Sequence, residues 1–323
     1  MHKKYDVVAL GELLIDFTEA GNGAEGMKLF EQNPGGAPAN LLTAVSHMGY
    51  RTAFIGKVGT DMHGEFLKHT LEKEGISTDY LVQDDKVFTT LAFVAIGEGG
   101  ERAFSFARKP GADTSLSVED LRSESLQNTR IFHTGSLSLT DEPARTATYE
   151  AVKMAKAAGA LISYDPNYRA SLWRGEKEAI EAMKSLFPYA DMVKVSEEEC
   201  RLLTEEADCL KGAHELLALG PSIIAVTLGE KGVCLVKEDW EEYVPGFCVK
   251  TVDTTGAGDS FWGGFLSRFL EYEKELPDMQ IEEWKNCAVI GNTVAALCVG
   301  KRGGIPAIPS KQDVLQFKNP SWK

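Results

Sequence analysis

The segment Asp253–Phe265 joins residues that could bind a phosphate to a residue that could accept a proton. It reads D-T-T-G-A-G-D-S-F-W-G-G-F, with two glycines in three positions followed at once by Asp259. The glycines let the backbone approach a ligand, and the apolar spacing after them predicts a helix. The amides of Gly256, Ala257 and Gly258 would then lie at a helix N-terminus, where unpaired N–H groups favour negative charge. An anion site beside a carboxylate predicts phosphoryl transfer, although an isolated Gly-x-Gly-Asp more often only caps a helix.

The full segment is similar to the C-terminal signature of the ribokinase-like sugar kinases, the PfkB family, and the resemblance extends from Gly11 to about Pro309. It implies that Asp259 removes the proton from the attacking sugar hydroxyl while the preceding amides hold the transferred phosphoryl group. It also implies that the protein binds ATP and a small-molecule sugar and uses Mg²⁺.

A second glycine motif lies near the N-terminus, in the run Gly35-Gly36-Ala37-Pro38-Ala39-Asn40. A Gly-Gly before a helix is by itself more often a turn than a ligand site. Together with the run G-E-L-L-I-D that ends at Asp16, however, it resembles the sugar-binding motif of the family. The resemblance implies that Asp16 and Asn40 bind sugar hydroxyls and that Gly35 and Gly36 let the sugar approach the backbone. Such groups reject a ligand that lacks the matching hydroxyl.

Residues 108–113, 132–139 and 164–173 are similar to segments of fructokinases. The resemblance implies that Arg169 neutralises phosphate charge or contacts the substrate, and that Arg108 faces the sugar; either could instead be a surface cation. The expected reaction converts D-fructose to fructose 6-phosphate. Because D-P-N-x-R also occurs in 2-keto-3-deoxygluconate kinases, that substrate is the main alternative, and ribose or adenosine ranks lower.

Residues 89–96 and 101–106 have the pattern of a β-hairpin, closed by a turn at Gly97–Gly100. With residues 13–32 the hairpin could form a small sheet outside the main one, although an ordinary edge hairpin fits the pattern equally well. The resemblance implies a lid made of segments 13–33 and 88–110, with Phe106 among the residues that contact the sugar. A lid excludes water that would compete for the phosphoryl group. Because lid edges can pair in relatives, a homodimer through the lid is compatible with the sequence.

The resemblance assigns the nucleotide to later residues. The run T-L-G-E-K-G resembles the family's ATP loop, with Thr227 and Gly229 near the phosphates and Gly232 supporting the turn; a plain β-turn is the other interpretation. Where the family has Asn-x-x-Glu, this chain has Ser196 followed by Glu199, which keeps the acid that organises Mg²⁺ through water but lacks the amide. The other residues expected at the nucleotide are Lys194, Gly256, Gly258, Ala288 and Asn292.

Residues 301–307, K-R-G-G-I-P-A, resemble a loop that surrounds a monovalent cation in some relatives. K⁺ activation is therefore a hypothesis, and a plain helix-to-strand loop is the alternative. The residues expected around the cation are Asp253, Thr255, Cys298, Lys301, Gly303 and Ala307.

Composition excludes several other classes of protein. The formal charge of −14 and the lack of a basic stripe argue against nucleic-acid binding. No apolar run approaches the ~20 residues of a membrane span, and no secretory signal is visible, so we expect a soluble, cytoplasmic protein that does not bind membranes. Neither G-x-x-x-x-G-K-[ST] nor a G-x-G-x-x-G after a strand is present, which argues against P-loop NTPases and dinucleotide dehydrogenases.

The elements that must position these residues alternate between strand and helix, which predicts an α/β fold with a mainly parallel sheet. The resemblance implies a ribokinase-like three-layer sandwich with a small β-sheet lid, all within a single domain of 323 residues. The predicted strands are Tyr5–Leu10, Phe54–Val58, Ile131–Thr134, Leu161–Asp165, Met192–Val195 and Ile223–Thr227. The predicted helices are Asn40–Met48, Pro143–Ala158, Glu178–Phe187, Lys211–Leu219 and Ala257–Phe269.

Overall fold

The computed structural model describes residues 3–96 and 102–317, which contain thirteen strands and ten α-helices. The strands are β1 Tyr5–Leu10, β2 Leu14–Asn22, β3 Lys28–Gly35, β4 Thr52–Gly59, β5 Ile76–Asp84, β6 Leu91–Ile96, β7 Arg102–Ala107, β8 Thr129–Gly135, β9 Leu161–Asp165, β10 Met192–Ser196, β11 Ile223–Thr227, β12 Gly232–Val236 and β13 Glu241–Pro245. The helices are α1 Ala37–His47, α2 Met62–Lys73, α3 Ser123–Gln127, α4 Ala144–Ala157, α5 Glu176–Lys184, α6 Glu197–Thr204, α7 Cys209–Leu217, α8 Ala257–Tyr272, α9 Ile281–Cys298 and α10 Lys311–Gln316.

Nine strands form the main sheet in the order β13-β12-β11-β10-β9-β8-β1-β4-β5. The pairings from β11 through β1 to β5 are all parallel, and only β12 and β13 run antiparallel to their neighbours. The predicted mainly parallel sheet is confirmed. Its parallel strands end at one common edge, so residues that follow these strands meet there.

Both faces of the main sheet are covered by helices. On β1, Val8 and Leu10 belong to one buried core, and the alternate residues Val7 and Ala9 belong to another. The first core contains apolar residues of helices α3 to α7, and the second contains those of α1, α2, α8 and α9. Because successive side chains of a strand point to opposite faces, these two cores make the predicted three layers. None of the helices in the described ranges is long and apolar enough to cross a membrane.

A separate small sheet has the order β3-β2-β6-β7. The predicted hairpin of β6 and β7 is antiparallel, and it joins the β2–β3 pair through parallel pairing of β2 with β6. The expected turn at Gly97–Gly100 lies outside the described residues. On one face of this sheet the rings of Phe17 and Phe93 stack at 5.4 Å, and Phe30 meets Phe93 edge-on at 6.1 Å. The residues at alternate positions face the opposite way, toward the main sheet.

Candidate active site

A cavity of about 1080 Å³ lies at the carboxyl edge of the main sheet, beneath the small sheet. Residues that follow five parallel strands line it: Glu12 after β1, Leu137 after β8, Asn167 after β9, Ser196 at the end of β10 and Thr227 at the end of β11. Ligands of parallel α/β sheets bind at this edge. Asp16 and Asn33 and, across the small sheet, Val94 and Phe106 line the cavity from above.

Helix α8 begins beside this cavity, with Gly256 as its N-cap in a left-handed conformation (φ 73°). A Cβ atom at Gly256 would lie 3.2 Å from Gly304 Cα, and one at Gly258 would lie 2.9 Å from Lys194 Nζ. Gly256, Ala257 and Gly258 all line the cavity, as the predicted anion site requires. The Ala257 amide donates to the Thr254 carbonyl at 3.2 Å.

Asp259 lies in the first turn of α8, lines the cavity and is only 9% exposed. Asn40 Nδ2 donates to its Oδ2 at 2.8 Å, and Asn167 Nδ2 approaches its Oδ1 at 3.5 Å. Burial raises the pKa of the Asp259 carboxyl, while the charge of Lys194, the hydrogen bond from Asn40 and the charge of Arg169 oppose this shift. The carboxylate is thus fixed at both oxygens and still borders the cavity.

Lys194 and Glu199 form the floor of the cavity. Lys194 Nζ donates to Asp165 Oδ2 at 2.7 Å, and both side chains are almost fully buried. Ser196 is the N-cap of α6 and makes a reciprocal capping box with Glu199, whose Oε1 also accepts from the Tyr168 amide at 2.7 Å. Two backbone amides therefore use two of the about four acceptor positions of this carboxylate. The remaining positions suit hydrogen bonds from metal-bound water.

The N-terminal motif is fixed by close packing at its two glycines. A Cβ at Gly35 would collide with the Asp16 carboxylate, and one at Gly36 (φ 125°) would collide with the Glu12 carbonyl. Glu12 Oε1 accepts from the Ala37 amide at 2.8 Å, and burial raises the Glu12 pKa to about 7. Burial also raises the pKa of Asp16 to about 6, against the charge of Arg169, which lowers it. Gly36 lines the cavity, whereas Gly35 supports Asp16 from behind.

Arg108 has a different position from the one expected. Its guanidinium is buried and donates to Asp113 Oδ2 at 2.8 Å, to Thr140 Oγ1 at 2.8 Å and to the Leu137 carbonyl at 2.9 Å. It is not among the residues that line the cavity. In the structure Arg108 therefore fixes the segment from Leu137 to Thr140, and the contact with sugar that we expected has no support from its position. Arg169 does line the cavity, as expected.

The expected nucleotide residues divide into two groups. Thr227 and Gly229 line the cavity, but Gly232 (φ 114°) forms a turn in which a Cβ would collide with the Val244 carbonyl. Ala288 is fully buried in the core. Asn292 donates to the carbonyls of Val244 and Pro245 at 3.4 and 3.0 Å, and thereby ties α9 to β13. Neither residue lines the cavity, and their assignment to the adenine stays a prediction.

The two loops of the expected cation site contact each other through the Asp253 carboxylate. Its Oδ1 accepts from the Thr255 amide and hydroxyl at 2.9 and 2.8 Å, and its Oδ2 accepts from the Gly303 amide at 3.1 Å. The Cys298 thiol donates to the Thr255 carbonyl at 3.8 Å. Lys301 is exposed, and Ala307 is buried in a short 3₁₀ turn. Among the described residues no group of three His, Cys, Asp or Glu side chains is placed to hold a metal ion, so carbonyl and water ligands would have to complete such a site.

Three residues to which the sequence assigned no role belong to the site. Asn167 and Asp165 lie in the D-P-N-x-R run, and Glu12 lies in the run G-E-L-L-I-D near the N-terminus. Asn167 has a left-handed backbone (φ 48°), an uncommon conformation outside glycine that often marks a functional position. A polar residue directly after a buried strand was the available signal.

The chain is similar to known proteins over nearly its whole length. The profile of the pfkB family carbohydrate kinases matches residues 4–311. Probable fructokinase-5 of Arabidopsis thaliana is 41% identical over 318 residues, which are 96% of each chain. The structure of the fructokinase of Xylella fastidiosa with bound ATP matches with a TM-score of 0.88 at 33% identity, and covers 96% of this chain and 97% of that one.

A second solved structure is a double mutant of the fructokinase of Vibrio cholerae O395, bound to fructose, ADP and a potassium ion. It has a TM-score of 0.88 at 31% identity, over 98% of this chain and 99% of that one. The profile and the relatives cover nearly the whole chain and include every strand of both sheets. The chain belongs to the pfkB family of carbohydrate kinases and has the ribokinase-like α/β fold of that family.

Proposed function

We propose that this kinase transfers the γ-phosphoryl group of ATP to the 6-hydroxyl of D-fructose, with Asp259 as the general base. The observation that carries the proposal is the Asp259 carboxylate itself, which lines the cavity and is held on both oxygens by side-chain amides. A general base must lie within hydrogen-bond reach of the proton that it accepts, and its pKa matters only once this condition is met. The similarity to fructokinases at about 40% identity supports fructose as the acceptor.

The sugar would bind between the small sheet and α1. Asp16 accepts hydrogen bonds from sugar hydroxyls there, with Phe106 and Arg169 nearby and Gly36 at the backbone. Asn40 offers further support, because its Oδ1 is buried without a hydrogen-bond partner among the described groups. An unpaired buried acceptor is unfavourable by roughly 1–3 kcal/mol, so a hydroxyl that donates to it would bind favourably.

In the chemical step the sugar oxygen attacks the γ-phosphorus as its proton passes to Asp259, and the bond from phosphorus to the leaving oxygen of ADP breaks. The amides of Gly256 and Gly258 stabilise the charge on the transferred group, and the Ala257 amide shares its bond to Thr254 to do the same. The nucleotide extends from there toward Thr227 and Gly229, which line the same cavity.

Mg²⁺ and K⁺ both fit the residues present. Glu199 would orient Mg²⁺ through water, and the metal would neutralise charge on the phosphates. The carbonyls of Asp253 and Thr255 would hold K⁺ against the 301–307 loop, to which Asp253 is already bonded. Equal activity in K⁺, Na⁺ and a bulky organic cation would disprove the K⁺ site.

Exchange of Asp259 for asparagine tests the base. Asp259→Asn keeps the shape of the side chain and removes proton acceptance, so turnover should fall by about 10²–10⁴-fold with little change in ATP affinity. Asp313→Asn serves as a matched control, because Asp313 is in the capping box of α10 and does not line the cavity. Turnover of Asp259→Asn close to that of the wild type would refute the proposal.

A substrate panel tests the acceptor. ATP consumption is measured with fructose, 2-keto-3-deoxygluconate, ribose, glucose and adenosine, and fructose should give the highest kcat/KM. 2-Keto-3-deoxygluconate stays the second candidate because Arg169 at the cavity could pair with its carboxylate. A preference for that acid would replace fructose as the substrate and leave the role of Asp259 unchanged.

The small sheet is proposed to act as a lid and as a dimer contact. Its inner face lines the cavity, while its outer face exposes Phe30 at 42% and Phe93 at 39%. A second copy could cover these rings, since exposed apolar patches often mark interfaces. A monomer at micromolar concentration in sedimentation experiments would exclude the dimer.

A further inference from the structure

Lys194 is a buried cation at the carboxyl end of β10, on the floor of the cavity. It is only 5% exposed, and its Nζ donates to Asp165 Oδ2 at 2.7 Å. Its ammonium lies so close to Gly258 that a Cβ there would be 2.9 Å from Nζ. The ammonium is therefore adjacent to the first turn of α8, which carries Asp259.

The charged and titratable groups around Asp259 come from four elements. They are Lys194 of β10, Asp165 at the end of β9, Arg169 in the loop after β9, Glu199 of α6 and Cys298 of α9. The set contains three carboxylates, counting Asp259, and two cations. Without Lys194, Arg169 would be the remaining cation of this set that acts on Asp165 and Asp259, and its side chain is exposed to water.

Burial makes Lys194 the stronger of the two cations. Charge interactions of exposed groups are screened by solvent and salt, and those of buried groups much less. Among the groups that favour the ionised form of Asp259, Lys194 has the largest effect, ahead of the Asn40 hydrogen bond and Arg169. A neutral Asp259 could not accept a proton from the sugar.

We infer that Lys194 is a positioning residue whose charge keeps Asp259 ionised for proton acceptance, with Asp165 holding the Lys194 ammonium in place. This inference rests on the proposed role of Asp259 as the base. It differs from the expectation that Lys194 binds ATP. A residue that only binds ATP would change the affinity for ATP and would not change the ionisation of Asp259.

The test is the pH dependence of kcat/KM for the sugar at saturating ATP. Lys194→Met should move the acidic limb to higher pH by about one unit, since an opposite charge nearby shifts a carboxyl pKa by about 1–3 units. The rate on that limb should then fall about tenfold at a given pH. Asp165→Asn removes a negative charge instead and should move the limb to lower pH. A general loss of structure would not move the acidic limb in opposite directions in the two variants.

A double variant covers the case in which Lys194→Met leaves Asp165 unpaired and the protein unfolds. Lys194→Met combined with Asp165→Asn has no unpaired buried charge at this pair and should fold. Because Asp165→Asn alone moves the limb to lower pH, the double variant is compared with that single variant, and its limb should lie at higher pH by about one unit. The inference is overturned if the KM for ATP rises while the limb of Lys194→Met coincides with that of the wild type, or that of the double variant with that of Asp165→Asn, because Lys194 would then act only on ATP binding. If Asp259→Asn is inactive and the limb stays unmoved, only this inference fails; if Asp259→Asn is active, the proposed function fails as well.

Discussion

The Asp259 carboxylate is held by residues that are far apart in the chain, Asn40 and Asn167, which are 219 and 92 positions away from it. Each amide occupies one carboxylate oxygen, and the Lys194 charge acts from a third side. An oriented carboxylate loses little freedom when the sugar arrives. The site thus depends on two strands, β9 and β10, and two helices, α1 and α8, that meet at one point.

At the residue scale the most demanding position is Gly256, because its backbone is left-handed and its neighbours are close. Gly256→Ala should lower the free energy of unfolding by about 1–2 kcal/mol, the usual penalty for a side chain in this conformation. The added methyl would also lie 3.2 Å from Gly304 Cα and 3.4 Å from Asn40 Nδ2. If Gly304 or Asn40 moves to make room, the hydrogen bond from Asn40 to Asp259 is displaced. Turnover should therefore also fall by at least about tenfold. Urea unfolding and steady-state kinetics measure the two effects.

Gly159→Ala is the matched control for this prediction. Gly159 has a similar backbone (φ 76°), and no atom lies within 4 Å of a Cβ placed there. It follows α4 and is not among the residues that line the cavity. The control should lose similar stability and keep full turnover. Unchanged turnover in Gly256→Ala would show that the start of α8 tolerates displacement.

The sequence predicted the site residues whose role depends on local structure. Glycines before a helix and an acid in its first turn are short-range patterns, as is the run G-E-L-L-I-D that places Asp16 in β2. It did not predict that Asn167 approaches Asp259, or that Arg108 turns toward Asp113, because both contacts depend on which side chains meet after folding. It also did not predict that Ala288 is packed in the core or that Asn292 bonds to β13, since helix periodicity does not say which layer a helix faces.

At the element scale, α6 shows how a helix cap can serve a binding site. Ser196 caps the helix, and the same reciprocal bonds fix Glu199. The sequence suggested that serine in place of asparagine removes a contact. In the structure serine has a role of its own, because serine and asparagine are both strong N-cap residues.

Ser196→Ala should lower stability by about 0.5–2 kcal/mol, the usual value of an N-cap. It should also raise the KM for Mg·ATP several-fold, because the Glu199 amide would lose Ser196 Oγ, the acceptor of its hydrogen bond, and that bond helps to keep the Glu199 carboxylate in place. The control is Ser310→Ala in α10, which has the same kind of capping box with Asp313 and lies outside the cavity lining. It should lose similar stability with no change in KM. Ser196→Asn should retain both properties. Equal KM values for Mg·ATP in all variants would show that the N-cap of α6 does not contribute to nucleotide binding.

The strands in the centre of the main sheet were predicted almost to the residue, while elements at its edge were not. Tyr5–Leu10 is apolar except for Asp6 and is buried throughout, and Ile223–Thr227 is apolar and buried up to its last residue, Thr227. By contrast, β5 is an edge strand with only Ile76 and Tyr80 buried, and α2 buries only Gly64, Leu67 and Leu71. Such sparse apolar patterns give a weak periodic signal.

At the scale of the whole molecule, the catalytic edge of the sheet concentrates ionisable groups away from water. Glu12, Asp165, Glu199 and Asp259 are buried there and Asp16 is partly buried, and all five have raised pKa values for which the loss of solvation is the largest cause. Each such acid favours folding while it is neutral and opposes folding once it ionises. The site should therefore weaken the fold as the pH rises.

Glu12 allows this effect to be measured. Burial raises its pKa in the folded protein to about 7, from an ordinary value of 4.5, so the stability it contributes is full below pH 4.5 and is lost as the pH rises through 7. A shift of this size corresponds to on the order of 2–3 kcal/mol. Glu12→Gln keeps the acceptor for the Ala37 amide but does not titrate. Its free energy of unfolding relative to the wild type should therefore increase by that amount between pH 4.5 and 8, as measured by urea unfolding.

Glu283→Gln provides the control of opposite sign. The Gln280 amide donates to the exposed Glu283 carboxylate and, with Lys274, lowers its pKa, so this residue contributes stability above its ordinary pKa and loses it as the pH falls. The stability of Glu283→Gln relative to the wild type should thus decrease as the pH rises, while that of Glu12→Gln increases. Both substitutions remove one carboxylate, so the opposite directions of the pH dependence would come from the different environments of Glu12 and Glu283. A difference between Glu12→Gln and the wild type that stays constant with pH would mean that Glu12 is ionised throughout. The Ala37 amide and the Arg108 charge would then outweigh burial, and the cavity would carry one more negative charge at neutral pH than we infer.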